Sequence, residues 1–236
     1  MTTPTDYQAE QERISKVYQN WHGGAGLPRY AWHRRDVLQT DSDRTRVFAA
    51  LICATIGPEL SDKRILDVGC GSGGFLRQLI SWGATPSNLT GSELQQDRLD
   101  LARVQTAQGV TWHMGWLGSL PAGTMDLVCA HTVFSSILDD KLRQQLAGEM
   151  WQMLKPGGWV MVQDFRYNNP RNPNVRKVTR AELGRLWPGR QSHYRTTLLA
   201  PPLGRAVARA PYLLQDMLAL VPPLRSHFVY MVRKDP

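Results

Sequence analysis

Asp67, Gly69, Gly71, Gly74 and Glu93 are the residues of this chain whose types and spacing can do chemistry together. Ile65-Leu66-Asp67-Val68 reads as a buried strand that enters the turn Gly69-Cys70-Gly71-Ser72-Gly73-Gly74 and leaves it, at Phe75, as a helix. Glycines at 69 and 71 permit positive φ and put no Cβ in the way of a ligand, while the helix behind them opens with unpaired N–H groups. Glu93 ends the next apolar run, where a carboxylate can accept hydrogen bonds from both hydroxyls of a ribose. Together they imply a cofactor that carries a nucleoside.

Gly69-x-Gly71-x-x-Gly74 also satisfies the dinucleotide fingerprint, so a nicotinamide oxidoreductase is a competing reading. Asp67 weighs against it: a carboxylate at the strand end suits the cationic amino group of a methionine moiety and repels a pyrophosphate, which favours S-adenosylmethionine over NAD. Methyl transfer from a sulfonium is an in-line displacement, helped by alignment and, for a hydroxyl acceptor, by a base. His131, just past the fourth apolar run, is one candidate base and equally a candidate cofactor contact. His33 is the second, in Tyr30-Ala-Trp32-His33-Arg34-Arg35, where Tyr30, Trp32 and His33 are candidates for the acceptor pocket and packing is the alternative for Trp32. Asp164, Arg166 and Tyr167 follow the fifth apolar run and suit a polar acceptor, with loop capping the alternative for Asp164. His113 lies inside a strand and reads as structural, and the six histidines show no i, i+4 pair or His-x-His spacing, so no metal site is expected.

These residues need a sheet whose strand ends converge. From Arg64 onward short apolar runs alternate with helical ones, the pattern of βαβ units. Strands are predicted near 64–68, 89–93, 110–114, 125–130, 158–164, 192–199 and 227–232. Helices are predicted over 73–83, 95–107, 139–153 and 179–187, with a proline-interrupted helical stretch over 202–220. Ahead of them, residues 7–19 read as a helix broken by Trp21-His-Gly-Gly-Ala-Gly-Leu-Pro28, and a second helix over 43–56 takes its cap from Asp41-Ser42-Asp43. The organisation expected is a helical extension, 1–60, covering the active site, and one domain, 61–236.

The 236 residues suffice for one full core. Cys53, Cys70 and Cys129 form no C-x-x-C pair, and neither an apolar leader nor about 18 consecutive apolar residues occurs, so a reducing cytoplasm is the expected compartment. The net charge of +8 is concentrated in 161–210, where ten Arg or Lys face only Asp164 and Glu182. Such a segment can steer an acidic partner or simply be solvated.

The runs ILDVGCGSGGF, GSEL, LPAGTMDLV and LKPGGWVMV, in that order, resemble the class I S-adenosylmethionine-dependent methyltransferases over 64–165. The resemblance implies a Rossmann-like α/β fold, with a seven-stranded mostly parallel sheet and helices on both faces. It implies that Gly69, Cys70, Gly71 and Leu94 line the cofactor, Glu93 holds its ribose, and Gly115, Trp116 and Leu117 flank its adenine, with Asp67 and His131 toward the methionine end. Many members have Asp where Trp116 stands, so the contact to the adenine N6 is either lost here or replaced by stacking on the indole. TVFSSILDD and DFRYNNPRNPNVRKVTRAEL are similar to small bacterial methyltransferases of polysaccharide or secondary-metabolite clusters. The expected function is methylation of an oxygen or nitrogen on a small-molecule or glycan-type acceptor by a monomer or homodimer. A nucleic-acid methyltransferase is disfavoured, because no Asn/Asp-Pro-Pro-Tyr/Phe motif and no catalytic Pro-Cys pair occur; a scaffold that binds cofactor without turnover is the remaining alternative.

Overall fold

The computed structural model describes residues 9–17, 31–187 and 191–235. Residues 9–17 are helical (α1), followed by α2 (Arg35–Thr55), β1 (Ile65–Val68), α3 (Gly74–Ser81), β2 (Leu89–Glu93), α4 (Gln96–Gln105), β3 (Thr111–Met114) and β4 (Met125–His131). Then come α5 (Asp140–Met153), β5 (Leu154–Phe165), α6 (Arg180–Leu186), β6 (Ser192–Leu199), α7 (Pro201–Ala206), α8 (Tyr212–Leu220) and β7 (Arg225–Arg233). The strands form one seven-stranded sheet in the order β3-β2-β1-β4-β5-β7-β6. β7 runs antiparallel to both neighbours and the other pairings are parallel, so the carboxyl ends of β1, β2, β4, β5 and β6 share one edge.

Strand alternation sorts the core into two layers. Leu66, Val128, Ala130, Val160, Val162, Phe228 and Tyr230 face α5, whose Leu142, Leu146 and Met150 stand at helical spacing. Ile65, Leu127, Cys129, Met161, Val229 and Met231 face the other way, against Phe48 and Ile52 of α2 and Leu76 and Leu79 of α3. The central strands are covered on both faces, which is why they read as continuous apolar runs. Asp139 caps α5 by accepting from Leu142 N–H at 2.9 Å, and Thr179 and Glu182 close a capping box on α6.

Two expectations need correction. α2 begins at Arg35, eight residues before the predicted start, and Asp41 and Asp43 lie inside it, paired with Arg44 and Arg46 one turn on rather than capping. β5 begins at Leu154, because a register shift lets the 154–158 segment join the ladder ahead of the apolar run. The proline-interrupted helical stretch expected over 202–220 is present as α7 and α8, parted at 207–211 with Pro211 just ahead of α8. The connection from β3 to β4 holds only the single turn Leu117–Ser119.

Candidate functional site at the carboxyl edge of the sheet

β1 delivers Asp67 to the carboxyl edge, buried between β2 and β4. Its Oδ1 is sealed from solvent and accepts no hydrogen bond among the described residues. Burial, and then the charge of Glu93, push this carboxyl up to about 8. The turn that follows is left-handed at Gly69 (φ 66°), Gly71 (φ 55°) and Gly73 (φ 79°). A Cβ on Gly69 would stand 2.6 Å from Val133 Cγ2, and one on Gly71 would stand 2.7 Å from the Arg98 guanidinium, so glycine is needed for close approach as well as for φ.

Glu93, at the end of β2, accepts from Gly71 N–H at 2.9 Å through Oε2 and from Leu94 N–H at 2.7 Å through Oε1. A carboxylate has about four acceptor positions, so Oε2 retains capacity for a hydroxyl donor. Leu94 and Trp116 pack against the core layer that contains the fully buried Leu117, which brings these three predicted cofactor neighbours together. Cys70 is buried, and burial with the charges of Asp67 and Glu93 pushes its thiol far above the usual range, so it acts as a small apolar wall.

His131 ends β4 with Nδ1 3.6 Å from Asp67 Oδ1. Its ring stacks on Phe48 of α2 at 4.9 Å and meets the edge of Phe75, at the start of α3, at 4.4 Å. Burial, and then the charge of Arg44, lower it to about 3, so it is neutral at physiological pH. The next residue, Thr132, is left-handed (φ 56°), a conformation that costs a non-glycine residue of order 1–3 kcal/mol. Its N–H donates to Gln163 O at 2.8 Å and its hydroxyl to His131 O at 2.7 Å.

Of the predicted acceptor residues, Tyr30 lies outside the described residues. Trp32 and His33 are exposed just ahead of α2, with their rings 5.9 Å apart and edge-on. Asp164 is fully buried and accepts from Ser135 N–H at 2.9 Å and Phe165 N–H at 2.8 Å, the loop-capping arrangement, and burial raises it to about 6. Arg166 donates to the carbonyls of Pro222 and Arg225, and Tyr167 Oη to that of Pro223, tying the end of β5 to the turn before β7. His113 Nε2 lies 2.7 Å from Trp116 O, a satisfied structural contact. Among the described residues no cluster could hold a metal ion and no helix is long and apolar enough to cross a membrane.

Sequence reasoning expected a helical cover without naming its contacts, and it missed Arg143 and Phe48. α1 lies over the carboxyl edge: Gln11 donates to Leu94 O at 3.3 Å, Glu10 accepts from Leu138 N–H at 3.1 Å, and Arg13 donates to Ser136 O. Arg143, 1% exposed, joins Ile137 O, Arg176 O and Glu182 beneath the loop after β4. Its place four and seven residues before Ala147 and Met150 put it on the buried stripe of α5 and was a readable signal. Phe48 carried none, because its partner His131 is 83 residues away.

Residues 65–158 match the family described as a methyltransferase domain. The bifunctional biotin-biosynthesis protein BioHC of Cellvibrio japonicus is 31% identical over 119 residues, 50% of this chain and 22% of that protein. The 24-methylenesterol C-methyltransferase 2 of Oryza sativa is 27% identical over 157 residues, 62% of this chain and 42% of that protein. The chain thus spans less than half the length of these curated relatives. Among solved structures, an S-adenosylmethionine-dependent methyltransferase from Mesorhizobium loti superposes with a TM-score of 0.56 at 19% identity, covering 78% of this chain and 96% of that one.

Proposed function

We propose, from the premise that residues 65–158 form a class I S-adenosylmethionine-dependent methyltransferase domain, that this chain methylates an oxygen or nitrogen of a small-molecule or sugar-containing biosynthetic intermediate. The observation that carries this reading is the pair of buried carboxylates, Asp67 and Glu93, around a left-handed glycine turn. Asp67 Oδ1 is buried without a donor and is held protonated by its surroundings, a site that gains from a cationic partner such as the methionine ammonium. Glu93 takes the ribose hydroxyls, the backbone of Gly69, Cys70 and Gly71 gives the cofactor close approach, and Leu94, Trp116 and Leu117 flank the adenine. When bound, the cofactor supplies an electrophilic methyl on a sulfonium.

α1 covers this edge through its bonds to Leu94 O, Ser136 O and Leu138 N–H. A neutral imidazole that resists protonation down to about pH 3 is a weak base, so His131 holds the methionine end of the site and His33 is assigned proton acceptance from a hydroxyl acceptor. His33→Ala then loses turnover with donor affinity kept, whereas His131→Ala weakens the donor as well. Within the basic 161–210 segment, Arg166, Arg176 and Arg180 are held by backbone carbonyls, by Asp140 and by the Tyr194 ring, so these three are not presented to a nucleic-acid acceptor. Calorimetric titration with S-adenosylhomocysteine, with NAD in parallel and Glu93→Ala alongside, tests the reading. Binding that is lost in the variant supports it; tighter binding of NAD, or none of either ligand, overturns it.

A further inference from the structure

α8 is inside out. Gln215 is fully buried and donates to Val207 O at 3.1 Å, and Asp216 accepts from Gln39 of α2, so the polar side of the helix faces the protein. Leu213, Met217 and Leu220, spaced four and three residues apart on one helical face, are 69%, 57% and 71% exposed. Leu214 and Val221 extend the same patch. A contiguous apolar face of this kind marks an interaction surface.

What lies beside it is cationic. A groove of about 540 Å³ is lined by Arg34, Arg35, Arg205 and Arg209, with Asp36 as its one carboxylate, and Asp36 is paired with Arg34 at 3.1 Å. Arg205 and Arg209 have no ion-pair partner among the described residues. The Arg35 guanidinium lies over the Tyr212 ring at 4.7 Å, joining the arginine groove to the first turn of α8 without a gap. Leu199 of β6 pairs with Arg225 of β7 beyond the Phe165–His227 pair, so the whole 200–224 segment emerges from the carboxyl edge of the sheet, the edge that carries the candidate site.

We propose that α8 and the adjoining arginine groove dock the protein on an anionic lipid surface, with Leu213, Met217 and Leu220 entering the acyl boundary and Arg205 and Arg209 meeting the headgroups. An outward leucine stripe flanked by unpaired arginines is the arrangement by which a helix lies in a membrane interface. Docking in this way turns the carboxyl edge toward the bilayer. Nothing in this surface depends on the donor site, and vesicle binding reads it without turnover.

The test is flotation of the full chain with vesicles of equal parts phosphatidylcholine and phosphatidylglycerol, against vesicles of phosphatidylcholine alone. The protein is expected to float with the anionic vesicles only, and rising salt should release it. Arg205→Gln with Arg209→Gln lowers partitioning roughly 30-fold, at the usual contribution of an arginine near an anionic surface. Leu213→Ser with Met217→Ser and Leu220→Ser removes it, and thermal unfolding that matches the parent shows both variants folded. Equal binding to neutral vesicles, or no binding to either, overturns the proposal. So does a dimer in light scattering that the serine variant dissociates, which assigns the face to a second copy of the chain.

Discussion

Asp67 and His131 stand 3.6 Å apart at the ends of adjacent strands, and burial pushes the two groups in opposite senses, both toward the neutral form. A neutral pair is the cheaper state of a closed, low-dielectric site, and a cationic ligand reverses it for the acid. Below about pH 8 Asp67 is protonated in the free protein, so binding a cofactor whose ammonium pairs with the carboxylate must release a proton. Affinity therefore rises with pH up to about 8 and levels above it. Calorimetry in buffers of different ionisation enthalpy reads that proton directly; a buffer-independent heat would show that Asp67 is not the ammonium partner. Asp67→Asn, which cannot ionise, should lower affinity and flatten its pH dependence.

Between elements, the site is made by loops meeting at van der Waals contact. Gly69 after β1 and Val133 after β4 touch, and the left-handed Thr132 belongs to the same junction. Gly69→Ala places a methyl against Val133 at positive φ, and destabilisation of about 1–3 kcal/mol is expected in denaturant unfolding, with donor binding weakened further. Arg143 joins α5, the loop after β4 and α6 through Ile137 O, Arg176 O and Glu182. Arg143→Ala leaves those acceptors without their buried donor and should cost about 3–5 kcal/mol, measured by the same unfolding midpoint, while Arg143→Met, which refills the space, costs less. The strand–helix alternation and the glycine turn were legible because periodicity and turn chemistry are local. Helix starts were less so: α2 reaches back to Arg35 because the Asp41-Ser42-Asp43 run, cap-like in isolation, is stabilised inside the helix by the arginines one turn on.

Over the whole molecule, the buried ionisable groups set opposing pH dependences of stability. His131 and His227 are held neutral, lowered to about 3 and about 4, whereas the unfolded chain takes up their protons below 6.5; stability is lost as pH falls from there. Asp67 and Asp164 are raised to about 8 and about 6, so the unfolded chain releases protons that the folded chain keeps, and stability is lost as pH rises from 3.8 through those values. Above 6.5 only Asp67 of these four still acts. The melting temperature should accordingly decline from pH 6.5 to about 8, and Asp67→Asn should remove that decline in scanning calorimetry; an equal slope in the variant would place the loss elsewhere. Fold class, the glycine turn, Asp67 and Glu93 could all be read from the chain alone, because each rests on residues within one strand–turn–helix unit or at the end of the next strand. The stacking of His131 on Phe48, the identity of Ser135 N–H as the donor to the loop-capping Asp164, and the outward leucines of α8 could not. Those depend on which distant segments the sheet order brings side by side, and a local period says which face of an element is apolar but not what that face will meet.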